Sequence, residues 1–361
     1  MAEDSRPETP PRRVTLLPGE TIADAARRAI ASGVESLERH RVDAQAGGVE
    51  PLHQLRVSTR RLRASIELLA GVIYAPQLKI FRRDIPEITH DAGAVRECDV
   101  TAALLKERAR KIDPNLADAI SPMLETLDQR RKAASQNLRA LLESRRYRNL
   151  VAKLSRPAVK KLGADRKLGA VAPRLLRPVA RGAFRIGDKL TADAPASLLH
   201  KLRVRLKRLR YELEMMASLG AKRHKKTLAR LEELQELLGV HHDTTVAAEW
   251  LLSYAETSGA PPKTILAAGA LLQSLAGREE KLRRRCVKMW RRFERSDAMR
   301  DTLEEIRRAG KLALTAMTPT IAAPDKSRDT IVNVPQSDLH EVADPPTNQD
   351  SMTSQSTDAS P

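Results

Sequence analysis

The chain writes one helix twice. Residues 53–67 read HQLRVSTRRLRASIE and residues 200–214 read HKLRVRLKRLRYELE, in constant register. His53 pairs with His200, Leu55 with Leu202, Arg56 with Arg203, Arg60 with Lys207, Arg61 with Arg208, Arg63 with Arg210, and Glu67 with Glu214. At about 100° per residue, His53, Arg56, Arg60, Arg63 and Glu67 share one sector. Leu55, Thr59, Leu62, Ile66 and Leu69 share another. The second copy separates His200, Arg203, Lys207, Arg210 and Glu214 from Leu202, Leu206, Leu209, Leu213 and Met216 in the same way. Each apolar stripe needs other helices to cover it, and each cationic stripe must face water or an anion. A chain that repeats such a helix is expected to fold as two related helical units.

Helix signals dominate between the two ends, and alternating strand patterns are missing. Hydrophobic residues make up 41% of the 361 but aromatic ones only 2%. The core must therefore be built from Leu, Ala, Val and Ile, which suits helices packed on helices. Breaks are expected at Gly47-Gly48, Pro76, Gly93, Asp113-Pro114, Gly239 and between Gly259 and Pro262. The repeat continues past the basic helix: Gly93 precedes Arg96-Glu97-Cys98-Asp99 and Gly239 precedes His241-His242-Asp243. The expected fold is all-α, with two pseudo-repeated antiparallel four-helix bundles over 19–165 and 166–315. A flexible lead over 1–18 and a disordered tail over 316–361 flank them. The tail is rich in Pro, Ser, Thr and Asp and acidic where the rest is basic, a solvated segment that could compete weakly for the basic surface.

Lys and Arg number 64 against 46 Asp and Glu, a net charge of +18. That balance points to an anionic partner. Two further helices carry cationic rows: Arg174, Arg177, Arg181 and Arg185 in one, and Arg278, Lys281, Arg284, Lys288, Arg291 and Arg295 in the other. One such row is ordinarily a solvated face, since like charges three or four apart cost a helix about 0.2–0.5 kcal/mol per pair. Four rows, two of them in matched register, favour a groove that grips a polyanion. Arg dominates, and its planar fork can hold two phosphate oxygens. His53 and His200 share their sectors with cations that disfavour protonation until phosphate is present, so acid should tighten binding. Glu67 and Glu214 are read as tethers for neighbouring arginines, and Asp99 and Asp243 as helix caps.

These residues resemble a known family. HQLRVSTRRLR and HKLRVRLKRLRYELE are similar to the two signature helices of the conserved-histidine α-helical domain (CHAD) family. GAVRECDV and LQELLGVHHD are similar to its second motif, with Glu97 where Asp is usual and Asp91-Ala92 before Gly93 in place of an apolar residue. The likeness covers about residues 19–315. It implies two four-helix bundles and binding of inorganic polyphosphate, often at polyphosphate granules, without established catalysis. On this resemblance His53, Arg56, Arg60, Arg61 and Arg63 match the first motif, and His200, Arg203, Lys207, Arg208 and Arg210 the second. Arg174, Arg177, Arg181, Lys281, Arg284, Lys288 and Arg291 join the expected site through their rows.

The expected function is non-catalytic polyphosphate binding in a basic groove, with other polyanions as further partners and no cofactor or metal. Two alternatives stand beside it. His242-Asp243 offers the dipeptide of metal-dependent phosphohydrolases, a weak signal alone. Non-specific nucleic-acid binding fits the charge, but the scarcity of aromatics argues against base stacking and sequence readout. No P-loop, zinc-ligand spacing or nucleophile elbow occurs, so an enzyme is not expected. Cys98 and Cys286 are isolated, no signal peptide opens the chain, and no apolar run is long enough to span a bilayer. The expected location is cytoplasmic, at polyphosphate granules.

Overall fold

The computed structural model describes residues 14–159, 164–220, 222–257 and 259–316. Every named element there is helical; the extended pairing is limited to isolated bridges, Thr21 with Lys167 and Ile73 with Val159. The first half holds α1 (Ile22–Gln45), α2 (Val49–Leu68), α3 (Ala75–Ala109), the short α4 (Pro114–Ala117), α5 (Ser121–Glu143) and α6 (Arg145–Ser155). The second holds α7 (Leu168–Gly187), α8 (Ala196–Met215), α9 (Lys222–Thr257), α10 (Pro262–Glu294) and α11 (Ala298–Ala316). In register of the repeat, α1, α2, α3 and α5 correspond to α7, α8, α9 and α10.

Local chemistry sets several ends. Thr21 accepts from the Asp24 N–H and starts α1, as Ser144 accepts from the Tyr147 N–H and starts α6. Gly47, at φ +88°, turns the chain from α1 into α2, a conformation that favours glycine. The expected breaks at Gly93 and Gly239 do not occur, and α3 and α9 run through them as helices of 35 and 36 residues. A glycine costs a helix only about 1 kcal/mol relative to alanine. Burial of Ile88, Ala92, Val95 and Leu105 along α3, and of Leu238, His241 and Ala247 along α9, outweighs it. Helix α7 starts at Leu168 and carries Pro173 and Pro178 inside it.

The leucine stripes meet as the pattern requires. Leu52, Leu55, Leu62 and Ile66 of α2 pack with Ile30, Val34 and Leu37 of α1 and Phe81, Ile85 and Ile88 of α3. Leu202, Leu206, Leu209 and Leu213 of α8 pack with Leu176 and Ala180 of α7 and Leu231 and Leu234 of α9. Two cores cross between the halves. Leu104, Leu105, Met123 and Leu127 pack with Trp250, Leu251, Leu271 and Leu275. Ala25, Ala29 and Leu68 join the core of α7–α11. The basic helices α2 and α8 touch each other at the centre.

The N-terminal lead is packed earlier than its composition suggests. Leu16 is fully buried, its N–H donates to the Met215 carbonyl at 2.8 Å, and Ser218 donates to its carbonyl. The acidic tail beyond residue 316 and the segment 1–13 lie outside the described residues.

Candidate anion-binding cleft

Because α2 and α8 bury their leucine stripes outward, into separate helix layers, their cationic stripes face a shared central space. That space is a cleft of ≈ 1360 Å³. His53, Arg56, Arg60 and Arg63 of α2 line it from one side, and His200, Arg203, Lys207 and Arg208 of α8 from the other. Helix α3 adds His90, Arg96 and Glu97, α5 adds Arg130, α8 also Lys201 and Arg205, and α9 His242 and Asp243. Carboxylates are few: among the described residues only Glu67, Glu97 and Asp243 line it.

Five of the cleft cations combine partial burial with the lack of a carboxylate partner. Outside the cleft, ion pairs are frequent, among them Arg146 with Asp84 at 2.5 Å and Arg223 with Asp301 at 2.5 Å. Among the described residues, Arg56, Arg60, Arg96, Arg203 and Lys207 have no carboxylate at ion-pair distance. Arg56 Nη1 reaches only the Gly93 carbonyl at 3.4 Å, and the buried Nε of Arg203 has no hydrogen-bond partner. These cations act on one another across the two halves. Burial first, then Arg60, Arg203 and Arg96, pull the Arg56 guanidinium down to about 10, against Asp243. Burial, then Arg60, Arg203 and Arg56, take the Lys207 amine down to about 6. Unpaired, half-buried cations that repel one another form a preorganised anion site.

The histidines follow the same field. Burial lowers His53, helped by Arg96, Arg56 and Arg60 and opposed by Glu50. Burial, then Arg203 and Lys207, lower His200. His242 falls to about 3 through burial, Arg203, His200, Lys207 and His241. Nδ1 of His200 and Nδ1 of His242 lie 3.2 Å apart, with ring centroids at 4.5 Å.

Lys207 gives a pH prediction for the protein without ligand. Its folded-state pKa, about 6, lies below the ordinary lysine value of about 10.4. Between those values the unfolded chain binds a proton that the native chain does not, so this group makes stability rise with pH. Lys207→Met removes the contribution. Urea midpoints at pH 7 and 8.5 should show wild type gaining on the variant by up to about 1.4 kcal/mol per pH unit. Parallel pH profiles would mean that Lys207 stays charged in the native cleft.

Not every expected site residue reaches the cleft. Arg61 turns to Glu214 at 3.5 Å and Arg210 to Glu232 at 2.8 Å, with Tyr211 beneath both guanidinium groups. Arg208 lines the cleft but pairs with the buried Glu212 at 2.7 Å. Arg174, Arg177 and Arg181 are exposed on α7 and line no part of the cleft; the α7 residue that does is Ile186, about 100° from the Arg row. Lys281, Arg284 and Lys288 are exposed on α10, Arg284 pairing with Glu280 at 2.6 Å. Arg291 donates to the Leu190 carbonyl at 2.8 Å and to Glu294 at 3.0 Å, a structural role. The α7 and α10 rows are solvated faces.

Glu67 tethers Arg82 at 2.7 Å, and Glu214 tethers Arg61 and Arg210. Asp99 and Asp243 are not caps, because the helices continue through them. Asp99 instead accepts from Arg131 at 2.6 Å and ties α3 to α5. The single-helix periodicity missed Arg96 and Arg130. The repeat held the signal for Arg96, which aligns with His242.

Comparison with known proteins agrees with this fold. The family model of the CHAD domain matches residues 28–252. Two uncharacterised proteins from two strains of Mycobacterium tuberculosis are each 24% identical over 282 residues, covering 76% of this chain and 54% of theirs. The chain thus spans about half the length of the curated relatives it matches. The crystal structure of the CHAD domain from the plant Ricinus communis superposes with a TM-score of 0.63 at 23% identity, covering 82% of this chain and 96% of that one. PptA from Streptomyces chartreusis gives 0.64 at 17% identity, covering 75% and 100%. These two likenesses speak to the fold, and among the described residues no helix is long and apolar enough to cross a membrane. With more than half of its length matched by that family model and with the all-helical architecture of these neighbours, the chain belongs to the CHAD domain family.

Proposed function

We propose that the protein binds inorganic polyphosphate in the α2/α8 cleft, without turning it over, and that it does so at polyphosphate granules in the cytoplasm. The observation that carries the reading is the set of cations without carboxylate partners. Arg56, Arg60, Arg96, Arg203 and Lys207 converge from both halves of the repeat on one cleft. A phosphate polymer removes their mutual repulsion and supplies several acceptor oxygens along one line. Family membership, with what the signature helices imply, supports the same ligand.

The metal-dependent phosphohydrolase reading fits less well. His242 and Asp243 face Arg203, whose charge opposes a divalent cation. Nucleic acid fits the charge but finds few large stacking platforms, since among the described residues Tyr211 is the one Phe, Tyr or Trp ring lining the cleft.

Binding isotherms against polyphosphates of graded length at two salt concentrations test the reading. Affinity should climb with length until the cleft is spanned. It should fall with salt at a slope of about −0.7 per phosphate contacted, by analogy with single strands. Duplex DNA at equal phosphate concentration should compete poorly. Equal competition would favour non-specific nucleic-acid binding, and phosphate release that His242→Ala abolishes would favour the hydrolase.

A further inference from the structure

We propose that the cleft contains two unlike phosphate subsites: one on α2 and α3 whose charge is mostly permanent, and one on α8 and α9 that gains most of its charge as phosphate arrives, by taking up protons. The proposal rests on the reading that the cleft holds polyphosphate.

The repeat that makes the halves alike also shows where they differ. His53 matches His200 and Arg56 matches Arg203, but Arg60 matches Lys207. On the next helix Arg96 matches His242, beside Glu97 and Asp243. The first half therefore presents three guanidinium groups and one imidazole. The second presents one guanidinium, one amine and two imidazoles. Guanidinium groups keep their proton near neutral pH, whereas amines and imidazoles can release it in a cationic, half-buried setting.

The geometry of the histidine pair makes this half a switch. Nδ1 of His200 and Nδ1 of His242 share a 3.2 Å contact. A hydrogen bond there needs one N–H and one bare nitrogen, so the pair holds at most one positive charge while the contact lasts. Protonating both rings leaves two N–H groups facing each other, and they must part. A phosphate oxygen in the cleft is the acceptor that each would then find. Protons move from water to the ring nitrogen and to Lys207 Nζ, and no covalent bond to the ligand forms.

The groups around this subsite agree on the sign. Arg203 on the same helix and Arg56 and Arg60 on α2 oppose protonation of Lys207, and Asp243 of α9 alone supports it. His200 is opposed by Arg203 and Lys207 and weakly supported by Glu249 of α9. His242 is opposed by Arg203, His200, Lys207 and His241. Glu279 of α10 does not change this balance, because it is engaged by His241 Nε2 at 2.6 Å. A polyanion reverses the field and draws protons in.

Calorimetry of the full chain with polyphosphate at pH 7.5, in two buffers of different ionisation enthalpy, counts the protons. Wild type should take up about one to two per bound chain. Its affinity should tighten about tenfold per pH unit for each proton taken up as the pH falls. Lys207→Arg combined with His242→Asn should bind with clearly less uptake than wild type, while Arg96→Gln should bind more weakly and keep most of the uptake. Binding with no proton uptake in wild type overturns the two-subsite proposal and leaves the polyphosphate reading intact. No isotherm at all overturns both. Imidazole ¹⁵N shifts of the free protein give an independent readout. His242 should stay neutral down to pH 5, and titration near 6.5 would overturn the proposal whatever the isotherm.

Discussion

On the proposed function, replacing Arg56, Arg60 and Arg203 together with glutamine should cut polyphosphate affinity by about 10²- to 10³-fold, from the loss of three charge-assisted contacts. Replacing Lys281, Arg284 and Lys288 together with glutamine leaves affinity within about threefold. The two triple variants remove the same formal charge from a chain of net +18, so a ligand drawn by total charge alone would respond equally to both. The α10 cations are exposed, where salt screens them beyond about 8–10 Å. The cleft cations are half-buried and converge on one path. Stability separates function from folding. Arg56, Arg60 and Arg203 repel one another and have no carboxylate at ion-pair distance, so the cleft variant should melt no lower than wild type. Equal affinity loss in the two variants, or a collapse of the helical signal in the first, would remove the cleft as the site.

The doubled helix carried much of this in its letters. Heptad-like spacing tells which side chains share a face, and that placed His53, Arg56, Arg60 and Arg63 together, with His200, Arg203 and Lys207 in the second copy. What one helix cannot tell is which neighbour its face meets. Arg210 lies on the second copy's stripe and Arg61 matches the family's signature helix, yet Glu232 and Glu214 draw them away. The rows on α7 and α10 have the same spacing as the cleft rows but point to solvent, because tertiary packing decides which face turns inward. Gly93 and Gly239 are local helix breakers, and long-range burial along α3 and α9 overrides them. Arg96 entered the cleft only because α3 continues unbroken beyond Gly93. A break at that glycine would have left no reason to aim it there.

Gly187→Ala destabilises the fold by about 3 kcal/mol or more, at the upper end for overpacking one methyl group. A Cβ at Gly187 would lie 2.0 Å from two ring carbons of Trp290, which is fully buried. The ring has little freedom to retreat. Phe184 meets it edge-on at 5.2 Å between centroids and Phe293 lies at 5.9 Å, an aromatic cluster in a chain with few aromatics. Thermal unfolding should fall by on the order of 6 °C. Trp290→Leu alone leaves a cavity and also destabilises. In the Gly187→Ala background, however, the smaller side chain makes room for the new methyl. The double variant should therefore be more stable than the two single losses added together, by about 1 kcal/mol or more of coupling. Strict additivity would show that the Trp290 ring does not sit on the Gly187 backbone. The same cycle reports on the cleft, because Ile186, next to Gly187, lines it. A methyl that pushes α7 off α10 shifts that wall, whereas one absorbed by the tryptophan leaves the wall in place. Polyphosphate affinity measured well below the melting point should accordingly fall in Gly187→Ala and recover in the double variant.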